Sequence, residues 1–180
     1  MIFTETKLHG AFIIDVKKIE DNRGFFGRSW CEREAAEHGL AARMVQSNIS
    51  LNVKKGTLRG MHFQRPPFEE EKLVRCTRGA ILDIIVDLRP ASPTHRQWVA
   101  VELAADAHRM IYVPKHFGHG FQTLVDGSEV FYQVSQFYAP NHASGVRYND
   151  PAFGITWPLP VAEISANDST WVDYAGHGIA

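Results

Sequence analysis

Short stretches in which apolar and polar side chains alternate, or which are apolar throughout, recur along most of the chain and are separated by Gly, Pro, Asn and Asp. A strand turns successive side chains to opposite faces. These stretches therefore predict strands at 12–16, 44–50, 57–63, 72–77, 81–88, 98–103, 109–113, 119–124 and 129–137. One helix is predicted early: Ser29 is placed as an N-cap with Glu32 at capping-box spacing, and Gly39 is a natural stop. Many short strands with turn signals between them predict an all-β antiparallel sandwich or barrel, most economically a jelly-roll with a few short helices and loops as decoration. No internal repeat, low-complexity tract or linker interrupts the 180 residues, which read as one domain over 1–180. That length buries a core without disulfide or metal.

Parity within the strands decides which side chains meet. The run at 56–64, Gly-Thr-Leu-Arg-Gly-Met-His-Phe-Gln, puts Leu58, Gly60, His62 and Gln64 on one face and Thr57, Arg59, Met61 and Phe63 on the other. Along 81–88, Leu82, Ile84, Val86 and Leu88 form one face, and Ile81, Asp83, Ile85 and Asp87 the other. An aspartate in so apolar a strand is costly unless paired. Lys72 shares a face with Val74 and Cys76, which points it inward beside Asp83. Tyr132 and Tyr138 fall on one side of their strand if it stays regular, and His119 follows a Pro and Gly turn. His62, Lys72, Asp83, His119 and Tyr132 are thus expected to line one cavity, with Gly60, Gly118 and Gly120 leaving room for a ligand.

Taken singly, each of these residues has an ordinary structural role. A strand histidine or tyrosine is commonly a core residue, and Lys72 after Glu69-Glu70-Glu71 suggests a solvated ion-pair cluster. Their joint inward position is what points to chemistry. Composition removes several classes of function. The formal net charge is −1 and no basic run occurs, which argues against nucleic-acid binding. No apolar stretch approaches a membrane span, and the first residues lack a signal pattern. Cys31 and Cys76 are far apart and in no CxxC pattern, as expected of reduced thiols in a cytoplasm. A metal site of the His-x-His kind lacks its second imidazole at Gln64, and Lys72 opposes a cation; His62, Glu71 and His119 are the remaining three-ligand set. No metal is expected.

The residues also resemble a known family, the dTDP-4-dehydrorhamnose 3,5-epimerases. The resemblance is carried by Asp21-Asn-Arg-Gly-Phe-Phe26, Gln46-Ser-Asn48, the 56–64 run, Lys72-Leu-Val-Arg75, 83–89, 114–121, 132–140, Asn149-Asp-Pro151, Trp157-Pro158 and Ser165-Ala-Asn-Asp168, in that order. It implies a cupin jelly-roll, a homodimer, and cofactor-free epimerisation of a nucleotide-linked 4-keto-6-deoxy sugar. By resemblance His62 is the base, with Asp168 holding its imidazole in the right tautomer, and Tyr132 is the acid on the opposite ring face. Lys72 and His119 would stabilise the enolate oxygen, with Asp83 orienting one or both. Arg23 and Arg59 match diphosphate-binding arginines; Phe26, Gln46, Asn48 and Tyr138 match residues that hold the nucleotide and sugar.

Three positions depart from the family pattern. Arg28 stands where the family has a thymine-binding glutamate, Ala143 replaces a second glutamate, and Asn167 replaces a lysine. A carboxylate accepts the N3–H of thymine, whereas an arginine only donates and would better suit cytosine. Alternatively, Arg28 turns to a phosphate or to solvent, and the base is read otherwise.

Overall fold

The protein is seen in a computed structural model that describes residues 1–40 and 43–175. Each stretch predicted as a strand is one, and four shorter strands join them. A six-stranded antiparallel sheet has the order β1 (Ile2–Glu5), β2 (Phe12–Asp15), β10 (Met110–Val113), β7 (Lys72–Arg78), β12 (Ser128–Val134), β5 (Gln46–Asn52). The second sheet runs β13 (Ala143–Gly145), β6 (Leu58–Gln64), β11 (Phe117–Thr123), β8 (Ala80–Asp87), β9 (Trp98–Ala104). A separate hairpin pairs β3 (Ile19–Asp21) with β4 (Gly24–Phe26). The fold is the expected all-β jelly-roll.

Alternation sorts the apolar side chains into three layers. Between the sheets lie Val74, Cys76, Ile111 and Val130 from one and Ile81, Ile85, Val101, Leu103 and Phe121 from the other. The outer face of the second sheet presents Met61, Phe63, Ile84, Val86 and Leu88, covered by Val146, Phe153 and Trp157 from the C-terminal part of the chain. On the outer face of the first, Ile14, Leu73 and Met110 pack under Ala35 and Leu40. β8 is buried on both faces, which is why its sequence is almost continuously apolar.

Helix α1 (Glu32–Ala36) begins later than the capping pattern implies. Its N-cap is Cys31, which is extended and makes no side-chain capping bond; Ser29 lies outside the helix. Trp30 is drawn into the layer beneath the helix, and the chain turns only after it. The stop at Gly39 is as expected. Its φ is +71°, and the N–H groups of Gly39 and Leu40 return to the carbonyls of Ala36 and Ala35. β12 ends at Val134, short of the predicted 137: the Ser135 N–H still bonds the Glu71 carbonyl, but the Glu71 N–H goes to the Ser135 hydroxyl and the rung is not completed.

One irregularity changes a prediction about faces. β6 and β11 pair at His62↔His119 and at Arg59↔Phe121, so β6 carries one more residue than β11 between those points. This bulge puts Arg59 on the same inward face as His62, where strict alternation had separated them. Gly60 makes it feasible: its φ is +126°, and a Cβ there would lie 2.5 Å from the Gly120 Cα. Gly118 and Gly120 likewise answer to packing, since a Cβ on them would meet Val86 and Met61. These glycines let two strands approach; of the three, Gly120 also borders a hollow beside His119, whereas Gly60 and Gly118 line none.

Two stability predictions follow from this architecture. Gly60→Ala should lower the unfolding free energy by about 2–4 kcal/mol, read by urea denaturation, since no relaxation clears both the backbone angle and Gly120. Asp87, fully buried at the end of β8, accepts bonds from Arg89, Ser92 and Thr94. Burial pushes its carboxyl up, but these bonds outweigh it and hold the pKa at about 2 against an ordinary 3.8. A folded value below the unfolded one stabilises at pH above 3.8, and that contribution is lost as pH falls towards about 2. Denaturation at a series of pH values should show this loss in the parent protein and a much flatter profile in Asp87→Asn.

Candidate active site

Cross-strand registers assemble the site row by row. On the inner face of the first sheet, Lys72, Val134 and Gln46 lie side by side, and Val74, Tyr132 and Asn48 form the next row. On the inner face of the second, His62 sits opposite His119, and Arg59 opposite Phe121. Gln46, Asn48, Arg59, His62, Lys72 and Tyr132 together bound a cavity of about 740 Å³, and Tyr138 and Asp168 also line it. A second hollow of about 280 Å³, reaching His119, shares Arg59, His62 and Tyr132 with the first. Such volumes suit a small organic ligand.

His62 is the one catalytic candidate with a half-exposed ring, and its Nε2 lies 2.6 Å from Asp168 Oδ1. Asp168 is delivered by α2 (Ala166–Thr170), whose N-cap Ser165 accepts the Asp168 N–H at 3.1 Å. The third position of the helix thus puts its carboxylate against the sheet, where it also accepts the Gly60 N–H at 3.2 Å. Burial disfavours the charged form of Asp168, yet the bonds from His62 and Gly60 prevail and hold its pKa below the ordinary value. An ionised Asp168 takes the hydrogen of Nε2. The imidazole's Nδ1 is left as the basic atom, the arrangement expected of a proton acceptor.

The remaining polar groups are paired in a pattern that differs in one respect from expectation. Asp83 is fully buried and binds His119 Nε2 at 2.8 Å through Oδ2, while Oδ1 has no partner among the described residues. Lys72 does not reach Asp83. Its Nζ lies 3.1 Å from Glu70 Oε1 and 3.3 Å from the His62 carbonyl oxygen, because β7 belongs to the opposite sheet and His119 already occupies Asp83. Tyr132 is desolvated, which raises its phenol pKa; the Glu70 charge adds to the rise and Arg59 opposes it. A protonated phenol therefore stands in the cavity with His62.

The binding candidates divide into two groups. Arg59 is held by Asn52 at 2.6 Å, Gln46 donates to Asn48 at 3.1 Å, and the Tyr138 N–H reaches Gln46 at 3.3 Å, so these four side chains gather at the cavity. Tyr138 does so from beyond the end of β12 and not as part of a regular strand. Arg23, Phe26 and Arg28 do not line it. Arg23 pairs with Asp21 at 2.6 Å on the hairpin tip, Phe26 is 71% exposed, and Arg28 is bound to Glu34 at 2.6 Å. Ala143 and Asn167 both border the cavity.

The three-ligand set of His62, Glu71 and His119 is not assembled. Glu71 is engaged by the Ser135 hydroxyl, and among the described residues no three His, Cys, Asp or Glu converge. Sequence reasoning passed over Glu70 and Trp171, which also line the cavity. The carboxylate of Glu70 was hidden in an acidic run. Trp171 follows α2 and fills the space over Gly145, which pairs with His62. The Ser165-x-x-Asp168 spacing was the signal for that helix.

Comparison with known proteins agrees over nearly the whole chain. The profile of the dTDP-4-dehydrorhamnose 3,5-epimerase family matches residues 5–175. The dTDP-4-dehydrorhamnose 3,5-epimerase of Methanothermobacter thermautotrophicus is 41% identical over 172 residues, covering 94% of this chain and 92% of the relative. The crystal structure of the Bacillus anthracis enzyme of that name, with TDP and PPi bound, superposes with a TM-score of 0.92 at 39% identity, covering 96% of this chain and 99% of the other. A Legionella pneumophila dTDP-6-deoxy-D-glucose-3,5-epimerase in complex with dTDP-4-keto-L-rhamnose gives 0.85 at 36% identity, covering 93% and 89%. With a jelly-roll whose cavity joins a histidine–aspartate pair to a partly buried tyrosine, this chain belongs to the dTDP-4-dehydrorhamnose 3,5-epimerase family.

Proposed function

We propose that the protein is a single-domain isomerase that epimerises a dTDP-linked 4-keto-6-deoxyhexose at C3 and C5 without a cofactor. The observation that carries this reading is a base and an acid in one cavity: His62, oriented by Asp168, and the protonated Tyr132. The C4 ketone acidifies the hydrogens on its two neighbouring carbons, since each carbanion is an enolate of that ketone. Nδ1 of His62 takes the proton from one ring face, and the Tyr132 hydroxyl returns one to the other. Lys72 donates to the enolate oxygen, and His119, whose Nε2 is taken up by Asp83, does so through a hydrogen on Nδ1. A positioned acid or base contributes about 10²–10⁴-fold, so stabilisation of the enolate carries much of the rest.

The diphosphate falls to Arg59, and the nucleotide to Gln46, Asn48 and Tyr138. Arg28 is neutralised by Glu34, so it offers little support for a cytosine-linked substrate. Arg23 and Phe26, matched to nucleotide binding by family resemblance, lie off their own chain's cavity, and this favours a homodimer in which each hairpin serves the partner's site. The open edge of β5 supports such pairing: Ile49 and Leu51 on it and Val53 just beyond its end are 66%, 53% and 74% exposed. Cys31 and Cys76 are free thiols, in keeping with a cytoplasmic setting.

Incubated in D2O with the dTDP-linked 4-keto sugar, the protein should place deuterium at both C3 and C5, followed by NMR. Absence of exchange at either carbon would sink the reading. His62→Ala should slow exchange by about 10²–10⁴-fold. Tyr132→Phe should still exchange protons while losing net inversion. The dimer has its own test. Arg23→Ala should weaken dTDP binding by about tenfold or more. Mixing it with His62→Ala, both poorly active, should restore about a quarter of parent activity if Arg23 acts across the interface, because half of randomly mixed dimers then hold one intact site. No recovery would place Arg23 in its own chain's site or nowhere in the reaction.

A further inference from the structure

Each residue of the Glu69-Glu70-Glu71 run has a separate partner. Glu69 approaches His116 at 3.7 Å, Glu71 meets the Ser135 hydroxyl, and Glu70 alone turns into the cavity. Both oxygens of Glu70 are occupied: Oε2 accepts Gln64 Nε2 at 3.2 Å, and Oε1 faces Lys72 Nζ at 3.1 Å. The pair is nearly dry, with side-chain exposures of 11% for Glu70 and 9% for Lys72. Gln64 is itself fixed, accepting the Ala139 N–H at 2.6 Å and donating to the Phe68 carbonyl at 3.0 Å. The carboxylate is therefore held in place from behind.

We propose that Glu70 is a positioning residue of the reaction: anchored by Gln64, it holds the Lys72 ammonium at the cavity wall and sets a negative charge near the Tyr132 hydroxyl. This rests on the epimerase reading above and adds a residue to it. Lys72 has three N–H bonds. One goes to Glu70 and one to the His62 carbonyl, which leaves the third for a ligand oxygen in the cavity. A long, flexible ammonium is a poor enolate donor unless something fixes it, and the buried carboxylate does so.

The second effect is electrostatic. The charged and titratable groups lining the two hollows with Tyr132 are Arg59 and His62 on β6, His119 on β11, Lys72 on β7 and Glu70 just before it, Tyr138, and Glu163, which is paired with Lys54, with Asp168 behind His62 and Asp83 behind His119. β5 contributes the neutral Asn48 opposite Tyr132. Arg59 favours loss of the phenol proton. Burial disfavours it, and the Glu70 charge adds to that and offsets Arg59. An acid that must give its proton only to the sugar carbanion is served by that balance.

The test compares Glu70→Gln and Glu70→Asp with the parent. Ionisation of the Tyr132 phenol is read by ultraviolet difference absorbance against the matching Tyr132→Phe protein, without sugar present. Glu70→Gln should move that titration to lower pH, and Glu70→Asp, which keeps the charge, should leave it close to the parent's. In the deuterium assay, Glu70→Gln should lower kcat by roughly ten- to a hundredfold with little change in KM, and bring the alkaline limb of the pH profile down with the phenol. Glu70→Asp should lower kcat without moving that limb. A Glu70→Gln phenol that titrates with the parent's overturns the electrostatic role, and an unchanged kcat in both variants overturns the positioning role. If the parent itself fails to exchange, the epimerase reading falls, while the phenol titration still decides what Glu70 does.

Discussion

The contact between β6 and β11 at Gly60 and Gly120 is the constraint on which the site depends. Two backbones come close enough there that neither can carry a side chain. The extra residue that β6 accommodates at this point brings Arg59 round to the inner face without displacing His62. It also leaves the Gly60 N–H aimed at Asp168. Arg59, His62 and Asp168 thus all refer to one irregularity of backbone. A regular strand would present Arg59 and His62 to opposite sides of the sheet.

Around that point three ionisable side chains of the cavity each meet a carboxylate, while Arg59 is held by the neutral Asn52. His62 has Asp168, His119 has Asp83 and Lys72 has Glu70, each pair within about 3 Å. Burying any one member alone would cost several kcal/mol, so each partner makes the other tolerable in a mostly apolar interior. The pairs differ in setting. Asp168 holds Nε2 of a half-exposed imidazole, Asp83 holds a buried one deep in the core, and Glu70 meets a flexible ammonium at the cavity wall. Tyr132 sits among them as a neutral phenol.

Much of this was legible in the sequence, for physical reasons that differ by residue. Alternation placed Asp83, His62 and Tyr132 on inward faces because parity is a local property, and strands as regular as β7 and β8 obey it. Arg59 was misplaced because the bulge comes from the approach of Gly60 to Gly120, two strands distant in sequence, which no local pattern records. Lys72 was assigned to Asp83 on parity alone, and parity does not say which sheet a strand joins. β3 and β4 escaped notice because three exposed residues each leave no burial pattern to read. Cys31 supplanted Ser29 as the cap because Trp30 packs into the layer below, and tertiary packing overrode a local signal.

The covering of the second sheet's outer face has a consequence for assembly. Val146, Phe153 and Trp157 form the lid over Met61, Ile84 and Val86, and the chain that supplies them runs on directly to Ser165 and Asp168. The Asp168 carboxylate therefore comes from a part of the chain that a ribosome makes after all the strands of both sheets. Before that segment docks, the His62 ring lacks the carboxylate that holds its Nε2. The pairing of His62 with Asp168 is in this way tied to completion of the apolar seal over the second sheet.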